Sequence, residues 1–89
     1  MDEIKVKKLK QIFSALSNEY RLKIIEVCSN KKPTITQLSK LLNLNYTITV
    51  EYTSMLERDN LVKKIRNDDK TVSVESLIII KDNGEIKRI

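Results

Sequence analysis

The chain has 89 residues, enough for one domain near the lower limit at which a single core sustains a fold, a limit that a strong dimer relieves. It carries 17 Lys and Arg against 12 Asp and Glu, a formal charge of +5, with no His, one Cys, one Gly and four aromatics, Phe13, Tyr20, Tyr46 and Tyr52. This composition excludes the usual zinc, haem and redox-pair constellations. Without an apolar run near about 18 residues or a signal-peptide pattern it also argues against membrane insertion and secretion, so the expected location is the cytoplasm.

No paired carboxylates, phosphate-cradling glycine loop or cysteine with a base partner stands in the sequence, so neither an enzyme nor a cofactor is expected. The positive charge points to a polyanion, and its distribution is uneven. Residues 1–32 balance to +4, residues 33–60 to −1 and residues 61–89 to +2.

Asp2 and Glu3 sit where negative charge complements a helix N-terminus. Val6, Leu9, Phe13 and Leu16 follow at helical spacing, with Ile12 alongside, and predict a first helix with an apolar stripe. Its other face, Lys5, Lys7, Lys8 and Lys10, is either a solvated surface or a phosphate contact. Ser17 or Asn18 caps a second helix, in which Leu22, Ile24, Ile25 and Cys28 are the expected core residues. Lys31, Lys32 and Pro33 link it to the next segment.

Thr34 and Gln37 form a T-x-x-Q capping box, and Ile35, Leu38, Leu41 and Leu42 recur at three- and four-residue spacing on a short helix. Asn43 tolerates a left-handed backbone and turns the chain sharply, after which Asn45 caps a longer helix running to about Asp59. Two registers compete in that helix. The favoured one turns Thr49, Tyr52 and Leu56 inward. The other makes Val50 the core position and asks Ser54 to follow it. The first leaves Tyr46, Thr47, Val50, Glu51 and Ser54 exposed, a set able to offer hydroxyl bonds, a carboxylate for cytosine N4 and apolar contact to thymine methyls.

Residues 61–66 and 71–75 are extended and flank the turn formers Asn67, Asp68, Asp69 and Lys70, which predicts a hairpin. Leu77 to Ile80 is a buried-strand signal, and Asn83-Gly84 predicts a second hairpin in which Ile80 faces Lys87 and Ile79 faces Arg88. In that register neither face is cleanly apolar. The apolar surplus then serves a symmetric dimer contact together with the first helix, or else covers the bottom of the core.

Short helix, three-residue turn, longer helix and strand pair, in that order, resemble the winged helix-turn-helix of ArsR-like transcription regulators. Residues 15–25, Ala15 to Ile25, are similar to that family's AL-S-x-x-x-R-L-x-I-L signature. The family usually has Gly where this chain has Asn43 and Asn60, and it generally ends in another helix where this chain has a hairpin. Its metal-sensing Cys or His pairs have no counterpart here, so no metal is expected.

The resemblance implies a fold that is mainly α with a small antiparallel β wing: four helices followed by β-hairpins. A single domain spans 1–89, with the helix-turn-helix at 34–59, the wing at 61–75 and the C-terminal hairpin at 76–89. It further implies a homodimer on double-stranded DNA, with helix 46–59 in the major groove and repression as the default, in an archaeon, a bacterium or one of their viruses. The DNA-binding candidates at the helix starts are Thr36, Gln37 and Asn45, joined by Tyr46, Thr47, Val50, Glu51 and Ser54 on the second helix. Arg21 faces DNA backbone in such domains, while its own surroundings equally suit a local ion pair with a carboxylate. Lys63, Lys64, Arg66 and Lys70 are the wing residues placed on phosphates, with Asp68 and Asp69 opposing entry of the tip into a minor groove. The weakly acidic balance of residues 33–60 keeps a rival open, a winged helix that binds a protein through Tyr46, Ile48 and Val50 instead of DNA.

Overall fold

The computed structural model describes residues 3–89; Asp2, expected at the first helix N-terminus, lies outside them. Four helices come first: α1 (Glu3–Ala15), α2 (Glu19–Asn30), α3 (Ile35–Leu41) and α4 (Tyr46–Arg58). Four short strands follow, β1 (Val62–Arg66), β2 (Val72–Ser76), β3 (Ile78–Ile80) and β4 (Ile86–Arg88).

Local chemistry explains the helix boundaries. Asn18, not Ser17, caps α2, its side chain accepting from the amides of Tyr20 and Arg21. Thr34 and Gln37 close both bonds of the capping box on α3, and Asn45 accepts from the Ile48 amide at 2.8 Å to start α4. Helices α3 and α4 end alike. Asn43 (φ 53°) donates to the Lys40 carbonyl while Leu44 donates to that of Ser39, and Asn60 (φ 60°) donates to Glu57 while Leu61 donates to Leu56. Both are paired 5→2 and 6→1 closures around one left-handed residue, and Leu61 buries its side chain in the same core as Leu56.

Strands β1 and β2 pair antiparallel from Val62 opposite Ser76 to Arg66 opposite Val72. Thr34 bridges to Ser73, and the Val74 amide donates to the Pro33 carbonyl at 2.8 Å, so the chain just before α3 lines the wing's free edge. The core joins Ile24, Ile25 and Cys28 of α2, Ile35 and Leu38 of α3, and Leu56 of α4 to Leu61, Val62, Val74 and Ile78.

Three expectations are corrected here. The α1 stripe lies mostly outside this core, as a surface left for a further contact. Leu16, Ala15 and Ile12 pack inward, but Val6, Leu9 and Phe13 stay exposed, Phe13 at 63 %. Leu22 is exposed because Ile24, Ile25 and Cys28 set the buried face of α2, and a residue two before Ile24 lies about 200° around the helix. Leu41 is exposed as well, and the buried place on α3 goes to Ser39, whose hydroxyl is satisfied by the Thr36 carbonyl at 2.8 Å.

The last correction concerns the C-terminal hairpin, which is one residue out of the expected register. Ile80 pairs with Ile86, Ile79 with Lys87 and Ile78 with Arg88. The Lys81 amide donates to Glu85 and the Gly84 amide to Lys81, closing a three-residue loop with Gly84 at φ 84° rather than a two-residue Asn-Gly turn. The slip puts Ile78, Ile80 and Ile86 on one face.

Candidate nucleic-acid interface

In α4 the buried positions are Thr49, Thr53 and Leu56, with Tyr52 and Val50 half-buried against the core. Polar residues serve inside because each hydroxyl bonds back along its own helix, Thr49 to the Asn45 carbonyl at 2.9 Å and Thr53 to that of Thr49 at 2.9 Å. The buried side fixes the opposite one. Thr47, Glu51, Ser54 and Arg58 recur at four-, three- and four-residue steps and are all exposed, forming one outward ridge, with Tyr46 exposed beside its start. Val50 is turned to the flank, so it presents less surface than expected. Arg58 was not among the sequence candidates, although its spacing from Ser54 and Glu51 marks it as the next residue of the ridge.

Two candidates at the helix starts are already engaged. The Gln37 side-chain carbonyl accepts from the Thr34 amide at 3.0 Å and that of Asn45 from Ile48, leaving their amide NH2 groups as the donors they present. Thr36 is exposed on α3.

Arg21 is committed within the protein. It is half-buried, with Nη2 donating to the Ser14 carbonyl at 3.3 Å, Nη1 3.6 Å from the Met55 sulfur and the guanidinium 6.0 Å from the Tyr52 ring centre. Its neighbours are a carbonyl, a thioether and a ring, so of the two alternatives the ion pair with a carboxylate is absent among the described residues, and the contacts it makes tie α1, α2 and α4 together.

In the wing, Lys63, Arg66 and Lys70 are exposed, whereas Lys64 is half-buried and its ammonium donates to the Ser54 hydroxyl oxygen at 2.7 Å. Lys63 stands opposite Glu75, which also pairs with Lys32 at 3.4 Å. At the tip, Asp69 accepts from the Thr71 hydroxyl at 2.6 Å and from its amide at 3.0 Å, and these bonds hold its carboxyl below the usual range, as an anion. Asn67 braces the same turn by donating to Thr71 and Ser73.

Among the described residues no three His, Cys, Asp or Glu side chains converge on a metal position, and no helix is long and apolar enough to cross a membrane. Burial pushes the Cys28 thiol up to about 12, so it is a neutral core group at ordinary pH.

Several solved structures share this arrangement. Reduced HlyU from Vibrio cholerae N16961 is 26% identical with a TM-score of 0.77, over 83% of this chain and 77% of that one. The transcriptional regulator HlyU from Vibrio vulnificus CMCP6 is 26% identical at a TM-score of 0.72, over 83% and 76% of the two chains. The homodimeric winged helix-turn-helix DNA-binding domain of Mb0332 from Mycobacterium bovis, a possible ArsR-family regulator, is 15% identical at a TM-score of 0.77, over 85% and 72%, and speaks for the fold alone. No curated protein sequence matches the chain. The winged helix-turn-helix profile matches residues 17–87, from the residue before the α2 cap into β4, and the chain belongs to the winged helix-turn-helix family.

Proposed function

We propose that this protein is an ArsR-type transcription regulator that binds double-stranded DNA sequence-specifically as a homodimer, with α4 in the major groove and the wing on the backbone. The observation that carries the reading is the outward ridge of Thr47, Glu51 and Ser54, opposite the buried Thr49, Thr53 and Leu56, with exposed Lys63, Arg66 and Lys70 on the hairpin that follows. Its direct readout is by hydroxyls and a carboxylate, and its affinity comes from phosphate contacts. Two copies of α4 about 34 Å apart meet successive major grooves, and occlusion of a promoter by such a dimer represses transcription. The protein acts in the cytoplasm and is not a catalyst.

Fluorescence anisotropy of a labelled AT-rich duplex of random sequence, at about 50 and 200 mM salt, tests the reading. Micromolar binding that weakens steeply with salt supports it. No binding at low salt defeats it and favours the protein-binding alternative, for which exposed Tyr46 would be the contact.

A further inference from the structure

Helix α4 has no Lys or Arg before Arg58 in its last turn, so the first three turns of its outward ridge carry no cation of the kind major-groove guanine recognition normally uses. The wing supplies one. Lys64 shares its strand face with buried Val62 and stands opposite buried Val74, so its stem runs along the side of the sheet that carries core residues. Its ammonium ends on Ser54, in the middle of the outward ridge.

We propose that Lys64 and Ser54 act as one base-reading unit that selects guanine, and that Lys64 is therefore a specificity-determining residue and not a phosphate contact like Lys63 and Arg66. The assignment rests on the DNA-binding reading above. An ammonium carries three N–H groups and no acceptor. One is given to the Ser54 oxygen, which orients that hydroxyl hydrogen away from the ammonium. Two ammonium hydrogens and one hydroxyl hydrogen then face the groove at one point, beside a positive charge. Guanine O6 and N7 are two adjacent acceptors and fit this set, whereas the amino groups of cytosine and adenine present hydrogens to it. Glu51, one turn earlier on the ridge, has the opposite preference and takes an amino hydrogen. The pair thus predicts a site in which a guanine is read next to a base offering an exocyclic amine.

The test begins with selection of binding sequences from a random duplex library by the full chain. Affinity is then measured for every base pair at each position of the enriched site, with wild type, Lys64→Met, Ser54→Ala and Lys63→Met. Lys64→Met and Ser54→Ala are expected to flatten a guanine preference of about tenfold at the same position, while Lys63→Met weakens all duplexes alike. Replacing that guanine by 7-deazaguanine should weaken wild type several-fold and leave Lys64→Met unchanged, a comparison that uses the intact protein. Equal loss on every duplex with Lys64→Met, or a wild-type site without guanine at the Ser54 position, overturns this assignment alone. Enrichment of no sequence overturns it together with the DNA-binding reading.

Discussion

The guanidinium of Arg21 donates to the Ser14 carbonyl at 3.3 Å, so a residue in the first turn of α2 holds the last turn of α1 while lying over Tyr52 of α4. Its Nε is buried and makes no hydrogen bond, which is tolerable because the charge is spread over the guanidinium and shared with a ring and a carbonyl. Arg21→Ala should cost about 1 to 3 kcal/mol in urea unfolding, because it removes the charged donor and the packing of the stem. The slope of DNA affinity against salt should not change. A slope shallower by about one phosphate would place Arg21 on DNA instead.

Cys28 gives a pH prediction whose sign follows from burial. Its folded pKa stands at about 12, above the ordinary thiol value of 9.0. The neutral form is favoured in the fold, so this contribution to stability is fully present below about pH 9. It is lost as pH rises toward 12, at up to about 1.4 kcal/mol per unit. Wild type should therefore lose stability faster than Cys28→Ala across that range. At pH 8 the native thiol should react with a disulfide reagent far more slowly than in urea, and equal rates would show that the site is open.

Asn43 and Asn60 each hold a left-handed backbone at the end of a helix, the conformation in which a β-carbon is costly. Asn43→Gly should leave the melting temperature unchanged or raise it slightly. Asn43→Ala should lower stability by about 1 kcal/mol, since Ala tolerates the left-handed backbone less well than Asn does. Equal effects of both substitutions would mean that the turn relaxes to another shape.

Features decided within five residues were legible in the sequence. The Thr34–Gln37 box, the Asn45 cap and the turns at Asn43 and Asn60 depend on side chains and amides that are neighbours along the chain. The α1 periodicity identified an apolar face but not what covers it, because spacing is blind to the partner surface. The C-terminal hairpin went wrong by one residue because Asp82-Asn83-Gly84 admits both a two-residue turn and a three-residue loop, and only long-range packing of Ile78 decides between them. Lys63 and Lys64 look alike in sequence. Their difference comes from the pleat and from Ser54, ten residues away.

The uncovered α1 face yields the last prediction. Val6, Leu9 and Phe13 are 45%, 39% and 63% exposed, so burying them would recover roughly half of the 1.5 to 3 kcal/mol that a side chain of this size is worth in full. Six such side chains in a symmetric contact give roughly 5 to 9 kcal/mol, against an association cost of about 4 kcal/mol or more. Helix α1 alone is therefore marginal as a dimer contact, and exposed Ile79 on the outer face of the C-terminal hairpin is needed to add to it. Phe13→Glu and Ile79→Glu should each shift the chain to monomer in sedimentation equilibrium while circular dichroism stays that of the native fold, since neither side chain belongs to the core. Both should weaken a two-half-site duplex much more than a single half-site. A dimer that survives Phe13→Glu would place the symmetric contact elsewhere, and one lost only with Ile79→Glu would assign it to the C-terminal hairpin.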